Sequence, residues 1–143
     1  MTTVSVTRLH LRSKRFLLPF VIYTWRSGRQ LKRSAGFRGG VLGNDAQGAN
    51  WTMTLWDSEA AMRSYRNAGI HAVAMRKLLD WCDEASFAHY TTDDSALPSA
   101  EEAYQRLTGG KISKVNHPSA AHAAGRTVSA GLPRFALNLR PRG

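Results

Sequence analysis

Hydrophobic and polar residues alternate along residues 4–11 and 51–57, a pattern typical of β-strands with one buried face. Residues 37–44 and 85–91 are predicted as two further strands, and a turn at residues 44–48 joins the second strand to the third. In the third strand the alternation places Trp51 and Trp56 on opposite faces. A single pocket can therefore contain only one of these two tryptophans.

Two longer segments have apolar residues three and four positions apart, which predicts helices. The first helix is expected from about Phe16 to Ser34, with a buried stripe formed by Leu18, Val21, Ile22 and Trp25. Near its C-terminus a basic ridge is predicted at Arg26, Arg29 and Arg33, where the helix dipole favours cations. The second helix is expected in two parts, residues 58–67 and 71–82, because Gly69 interrupts it.

The resulting order, β-α-β-β-α-β, predicts an α+β fold of the ferredoxin-like split β-α-β type, with a four-stranded antiparallel sheet and both helices on one face. The other sheet face would be exposed in a monomer, so we expect two copies to pair as a dimeric α+β barrel. A capping box at Ser99–Glu102 predicts a short helix over residues 99–107. The domain is expected to cover residues 1–115.

Residues 116–143 lack apolar periodicity and predict a basic, mobile tail, although Phe135, Leu137 and Leu139 alternate as in a strand that docks on a sheet edge. The chain of 143 residues has a net charge of +10, and all ten acidic residues lie within 45–102. Such clustered cations permit binding to nucleic acid or to another anionic surface, but no nucleic-acid-binding motif accompanies them. A solvated basic face is the favoured interpretation.

The longest apolar cluster, residues 16–23, is too short to span a membrane. It follows a basic stretch, but no small-residue cleavage site comes after it, so a signal peptide is not expected. Cys82 is the single cysteine, which agrees with a reducing compartment. We therefore expect a cytoplasmic protein in which Cys82 is buried and unreactive.

Several segments together resemble the dimeric α+β barrel superfamily, in particular a bacterial group related to spheroidene monooxygenase and to antibiotic-biosynthesis-type monooxygenases. The resemblance covers about residues 4–92. The segments that carry it are residues 15–20, 36–40, 51–57, 61–65, 69–71, 74–75 and 81–85. It implies a homodimer with a pocket between the sheet and the helices of each subunit.

The resemblance also singles out His71. In haem-degrading relatives a histidine on the second helix is the axial ligand, and His71 is the only histidine on that helix here. Other relatives oxidise aromatic substrates with no cofactor, so haem remains open, and His71 is alternatively a general base or a residue that bonds a backbone carbonyl.

Five further residues are candidates for contact with an apolar or aromatic small molecule. Arg8 and His10 share a face of the first strand, where they would meet an anionic group or a haem propionate, and aromatic contacts are expected from Trp51, Trp56 and Trp25. His89 and Tyr90 are expected in the core or at an interface, and His117 and His122 lie in the predicted tail.

Three functions follow as hypotheses. The first is a monooxygenase-like enzyme, with or without haem, in which His71 is catalytic. The second is a non-catalytic ligand-binding or structural dimer with the same fold, and the third is a nucleic-acid or anionic-surface binder that uses the basic ridge and tail. The fold by itself does not decide among them.

Overall fold

The structure is a computed structural model that describes residues 1–128 and 131–141. A single sheet carries six strands within that part of the chain, and five α-helices connect or flank them. In chain order the elements are β1 (Thr2–Leu11), α1 (Leu17–Lys32), β2 (Phe37–Asn44), β3 (Asn50–Trp56), α2 (Glu59–Arg66), α3 (Gly69–Trp81), β4 (Cys82–Thr92), α4 (Ala100–Thr108), β5 (Lys111–Ile112), α5 (Ala120–Ala123) and β6 (Arg134–Leu139).

The strand order across the sheet is β5-β4-β1-β3-β2-β6, and every neighbouring pair is antiparallel. The predicted order β-α-β-β-α-β is confirmed as the central part of this sheet, with α2 and α3 as the two parts of the second helix. The prediction of four strands is wrong, because β5 and β6 extend the two edges. A register shift between Phe37 and Gly39 marks a bulge in β2.

Local signals explain where several helices begin. The Ser58 hydroxyl accepts from the Ala61 amide at the start of α2, and Ser99 does the same for the Glu102 amide at the start of α4. Gly69 opens α3 with a φ of +58°, and an added Cβ there would lie 2.9 Å from Gln30 Oε1. The predicted break between the two parts of the second helix therefore depends on a glycine.

The first three helices cover one face of the sheet, which we call the helix side. Leu31 from α1 and Met62 from α2 pack there against Phe37 and Trp56. At the opposite end of the same face, Leu78 from α3 packs near Leu9 and Ala85, which β1 and β4 contribute. Two apolar clusters thus close the two ends of the helix side.

The other face of the sheet, which we call the α4 side, differs from the expectation that a monomer leaves it exposed. Ala103 and Leu107 of α4 are fully buried there against the inward residues Val4, Val6, Trp51, Met53 and Leu55. Leu97, Val128 and Phe135 pack against the same cluster. The chain's own C-terminal third therefore supplies the cover that a second copy was expected to supply.

The buried stripe of α1 was predicted incorrectly. Leu18, Val21, Ile22 and Trp25 are all exposed, and Trp25 retains 63% of its accessible surface. The buried side of α1 contains Phe20 and Leu31, and Tyr23 contacts the Trp81 ring of α3. The first turns of α1 are apolar around most of their circumference, so periodicity did not distinguish the inner face from the outer one.

Residues 116–143 contain more regular structure than a mobile tail implies. β6 pairs with β2 from Gly40–Leu139 to Asn44–Arg134, which confirms that the alternating residues 135–139 dock on a sheet edge. His122 of α5 is buried and its Nε2 donates to the Ser113 carbonyl at 2.9 Å. Residues 129–130 and 142–143 of the predicted tail lie outside the described residues.

Candidate functional site between the sheet and α1–α3

His71 lies in the first turn of α3, where several contacts fix its position. Its Nδ1 is 3.1 Å from the Arg66 carbonyl, so Nδ1 carries the proton that it donates and Nε2 is left as an acceptor. Its amide donates to Gln30 Oε1 at 3.0 Å. Burial lowers the pKa of His71, and the Arg66 charge lowers it further although the carbonyl bond opposes this. The ring is therefore a neutral imidazole at physiological pH.

An aromatic row connects His71 to the sheet. The Tyr65 ring lies 4.6 Å from the His71 ring and 5.4 Å from the Trp56 ring, measured between centroids. Trp56 is fully buried and its Nε1 donates to Thr54 Oγ1 at 2.9 Å. The Tyr65 hydroxyl donates to the Ser27 carbonyl of α1, and burial raises its pKa. Trp56, of the two strand tryptophans, is thus the one that shares a face with His71.

The middle of the helix side is polar. The register aligns Ser5 of β1 with Thr54 of β3 and His89 of β4, and one step along it aligns Thr7 with Thr52. Ser5, Thr7 and Thr52 are only half-buried although they face the helices, and their hydroxyls make no side-chain hydrogen bond within residues 1–128 and 131–141. These hydroxyl groups lie between the two apolar clusters of the helix side.

His89 belongs to this polar floor, although sequence reasoning assigned it to a core or interface. Burial lowers its pKa, and the Arg66 charge lowers it as well. The Arg66 charge therefore lowers the pKa of both imidazoles. Two neutral imidazoles, a tyrosine and a row of hydroxyls together form a candidate site for a small molecule with an acidic proton.

Arg8 and Trp51 lie on the α4 side, across the sheet from His71. Arg8 is 1% exposed, and its Nε donates to Asp45 Oδ2 at 2.8 Å while its Nη1 lies 2.5 Å from Glu84 Oε1. Trp51 Nε1 donates to the same Asp45 oxygen at 2.9 Å. This buried network ties β1 and β3 to the turn at Asp45, and so Arg8 and Trp51 do not reach a ligand on the helix side.

The remaining candidates also lie apart from His71. His10 is on the α4 side, with its Nδ1 2.6 Å from Asp83 Oδ1. Trp25 lies on the outer surface of α1, in an open groove of about 440 Å³ that Arg29, Lys32, Arg140 and Pro141 also line. Cys82 is fully buried and burial raises its pKa to about 12, so the expectation of a buried thiol is confirmed.

A second shallow groove, of about 390 Å³, runs between the end of α1 and the start of α2. Gln30 and Tyr65 line it, and each of these residues also contacts His71. Gln30 additionally donates from Nε2 to the Tyr65 and Ala68 carbonyls. The groove therefore ends close to the candidate site, at the junction that Gln30 holds together.

The residues present do not fit a haem in the arrangement expected from the resemblance. Arg8 and His10, the expected propionate partners, lie on the opposite side of the sheet from His71. The His71 ring is packed on the Tyr65 ring, with 4.6 Å between the two centroids.

Fold and site together define a class: an α+β protein with a ferredoxin-like core whose helix-covered sheet face carries a polar floor. Known structures with this fold include a mutant of SnoaB, a cofactor-independent oxygenase from Streptomyces nogalater, at a TM-score of 0.55 and 15% identity over 68% of this chain and 98% of that one. Rv0793 from Mycobacterium tuberculosis has a TM-score of 0.60 and 12% identity over 67% and 99% of the two chains.

A candidate antibiotic biosynthesis monooxygenase from Nitrosomonas europaea gives a TM-score of 0.58 at 11% identity, over 66% of this chain and 93% of that one. These likenesses confirm the suspected relation at the level of the fold. No protein-family model matches the sequence, and no curated protein matches it either. The matched share is close to the length of the β1–β4 core, so about a third of this chain has no counterpart in these neighbours.

Sequence reasoning missed the polar floor for an identifiable reason. Ser5, Thr7, Thr52 and Thr54 alternate with apolar residues, and alternation within one strand does not show which residues of a neighbouring strand lie beside them. The signal that could have revealed them is the run of small hydroxyl residues on two strands predicted to be neighbours. Their common face is evident only once β1 and β3 are paired in register.

Proposed function

We propose that this protein binds an apolar or aromatic small molecule between α1–α3 and the helix side of the sheet, and acts on it as a monooxygenase without haem. The observation that carries the proposal is a half-buried floor of hydroxyls on the same side of the sheet as two imidazoles whose pKa values are lowered. The oxygenase function printed for SnoaB, which has the same fold, supports it.

The proposed chemistry assigns one step to each group. His71 Nε2 accepts a proton from an acidic C–H or O–H of the ligand, because Nδ1 is already committed to the Arg66 carbonyl. The floor hydroxyls and His89 orient the oxygen substituents of the ligand. Dioxygen then takes electrons from the anion, and when a ring methylene becomes a carbonyl, one oxygen atom enters the product and the other leaves as water.

Anthrone is a suitable probe, because its ring methylene carries an acidic C–H and the product is a coloured quinone. We expect oxygen uptake and quinone absorbance above the uncatalysed rate, reduced about 100-fold or more in His71→Gln if His71 is the base. His117→Gln is the matched control, since His117 is exposed and lies beyond β5. Equal rates with and without protein would contradict the enzyme proposal.

The second candidate function is a ligand-binding protein without catalysis. The contacts of His71 with Arg66 and Tyr65 favour it, because they also suit a residue that only holds the α2–α3 junction. Quenching of tryptophan emission by anthrone, without oxygen uptake, would identify this function. If anthrone neither binds nor reacts, the proposed site is wrong for this class of ligand.

The homodimer and a cytoplasmic location stay predictions. We expected two copies to pair through the sheet face opposite α1–α3. Because α4 covers that face, a dimer of this chain would have to form through a different surface. Light scattering after size exclusion, at several protein concentrations, measures the mass directly. No helix in the described part of the chain has the length and apolar character needed to cross a bilayer.

A further inference from the structure

The outer surface of α1 is apolar although nothing in the structure covers it. Leu18 and Trp25 keep 71% and 63% of their accessible surface. Three- and four-residue spacing places them on one side of the helix together with Leu17, Val21 and Ile22, over a length of about 12 Å. Contiguous exposed apolar surface of this kind marks an interaction site.

Exposed cations bracket this apolar stretch at both ends. Lys14 and Arg15 precede it, and the exposed cations that follow are Arg26, Arg29, Lys32 and Arg33. The Arg29 guanidinium lies 5.1 Å from the centre of the Trp25 ring. We call this surface, residues 14–33 on the outward side, the outer face of α1. Its combination of Leu, Ile and Trp with flanking Arg and Lys is typical of helices that lie in a membrane interface.

A basic groove adjoins the end of the outer face. Arg29, Lys32 and Arg140 line it together with Trp25, and no acidic residue takes part. Arginine and lysine in such an arrangement suit a phosphate group, and a tryptophan beside them lies at the level where lipid headgroups meet acyl chains. The groove therefore adds a place for a lipid phosphate next to the apolar side chains.

Charge decides between the possible occupants. The outer face of α1 carries six exposed cations, which are Lys14, Arg15, Arg26, Arg29, Lys32 and Arg33, and residues 1–44 contain no Asp or Glu. Two copies that met through this face would bring these cations together, which is unfavourable. An anionic bilayer complements them. The shape agrees, because the outer face is a convex ridge that can enter a bilayer interface, whereas a bound peptide helix needs a groove.

We propose that the outer face of α1 docks on anionic lipid bilayers, with Leu18, Ile22 and Trp25 inserted at the headgroup boundary and the flanking cations on lipid phosphates. Docking is peripheral, since Phe20 and Leu31 keep α1 buried in the fold on its inner side. It is independent of the proposed oxygenase chemistry. It also brings the candidate site close to a phase in which apolar molecules concentrate.

Sedimentation of the full chain with vesicles tests the proposal. We expect binding to mixed phosphatidylcholine and phosphatidylglycerol vesicles and little binding to phosphatidylcholine alone. Leu18→Ser/Ile22→Ser should weaken partitioning about tenfold or more, and Arg26→Glu/Arg29→Glu should do the same. Trp25 emission should shift to the blue on binding, with Trp25→Phe removing the shift.

Matched controls are available elsewhere on the surface. Leu132→Ser removes an apolar side chain of similar exposure, and Lys114→Glu/Arg126→Glu changes the net charge by the same amount. Both should bind vesicles as the unmodified protein does. All substituted side chains are exposed, so circular dichroism should show an unchanged fold, and the apolar and charge variants address the same face independently.

Three results would overturn the proposal. The first is equal binding to neutral and anionic vesicles, or none to either. The second is a dimer that Leu18→Ser/Ile22→Ser disrupts while vesicles are not bound, which would identify a second copy as the occupant. The third is binding to a DNA duplex, but not to vesicles, that Arg26→Glu/Arg29→Glu weakens and Leu18→Ser/Ile22→Ser leaves unchanged, which would identify nucleic acid.

Discussion

Replacing Asp45 with alanine should destabilise the protein by about 3 kcal/mol, the lower end of the range for breaking a buried ion pair. Arg8 is 1% exposed and the Asp45 carboxylate is fully buried, with 2.8 Å between Nε and Oδ2. The lower end applies because Arg8 keeps Glu84 as a second partner at 2.5 Å. Asp45→Asn retains an oxygen for Trp51 Nε1 and should cost about 1–2 kcal/mol.

Urea unfolding, monitored by tryptophan emission, measures the stability loss of Asp45→Ala and of Asp45→Asn. Asp93→Ala is the control because Asp93 is exposed.

The pH dependence of the free energy of unfolding gives a second readout. Burial by itself raises the pKa of Asp45, but hydrogen bonds from Trp51 and Arg8 and the Arg8 charge outweigh it, so the pKa is below 3.8. The resulting stability is present above about pH 4 and is lost as the pH falls through the folded pKa.

The difference in stability between the unmodified protein and Asp45→Asn should therefore shrink below about pH 4. The reasoning is refuted if the free energy of unfolding of Asp45→Ala lies within about 0.5 kcal/mol of that of the unmodified protein, the range typical of surface substitutions. Such a result would mean that the network is not structural. Arg8 and Trp51 would then return as candidates for ligand binding.

Three further predictions concern the haem question, the cysteine and the covered sheet face. Titration with haem should leave the Soret band of free haem, and a shifted band that His71→Ala abolishes would restore His71 as an axial ligand. Cys82, fully buried with its pKa raised to about 12, should react with a thiol reagent only after unfolding, and fast reaction in the native state would show that β4 opens. Leu107→Ala should cost about 2–5 kcal/mol in urea unfolding, because Leu107 is fully buried against the sheet. A loss below about 1 kcal/mol would mean that α4 is not a required cover for that face.

Much of the fold could be predicted because its signals are local. Alternation located β1 and β3, the capping box at Ser99 marked the start of α4, and Gly69 marked the break before α3. Each of these signals depends on residues within one or two turns of chain, where hydrogen bonding and backbone conformation are fixed by neighbours. The order of these elements was then sufficient to predict the ferredoxin-like core.

The candidate site was predicted only in part. His71 could be chosen because it is the single histidine on its helix, and the alternation of Trp51 and Trp56 correctly separated the two rings. His89 and the hydroxyls of Ser5 and Thr52 come from three strands, and they form one floor only through the pairing of β1 with β3 and β4. Register across strands depends on contacts distant in sequence, which periodicity within a strand does not report.

The sequence by itself determined the strands, the helix starts and the composition of each face. Tertiary structure decided which of those faces is buried. Leu18 and Trp25 are as apolar as Phe20 and Leu31, yet only the latter pair is buried. The inner side of α1 has partners, since Leu31 packs with Trp56 and Tyr23 contacts Trp81. Likewise α4 covers a sheet face that was expected to need a second copy. A residue is buried only when a second surface packs against it, and the sequence of one segment does not show which other segment supplies that surface.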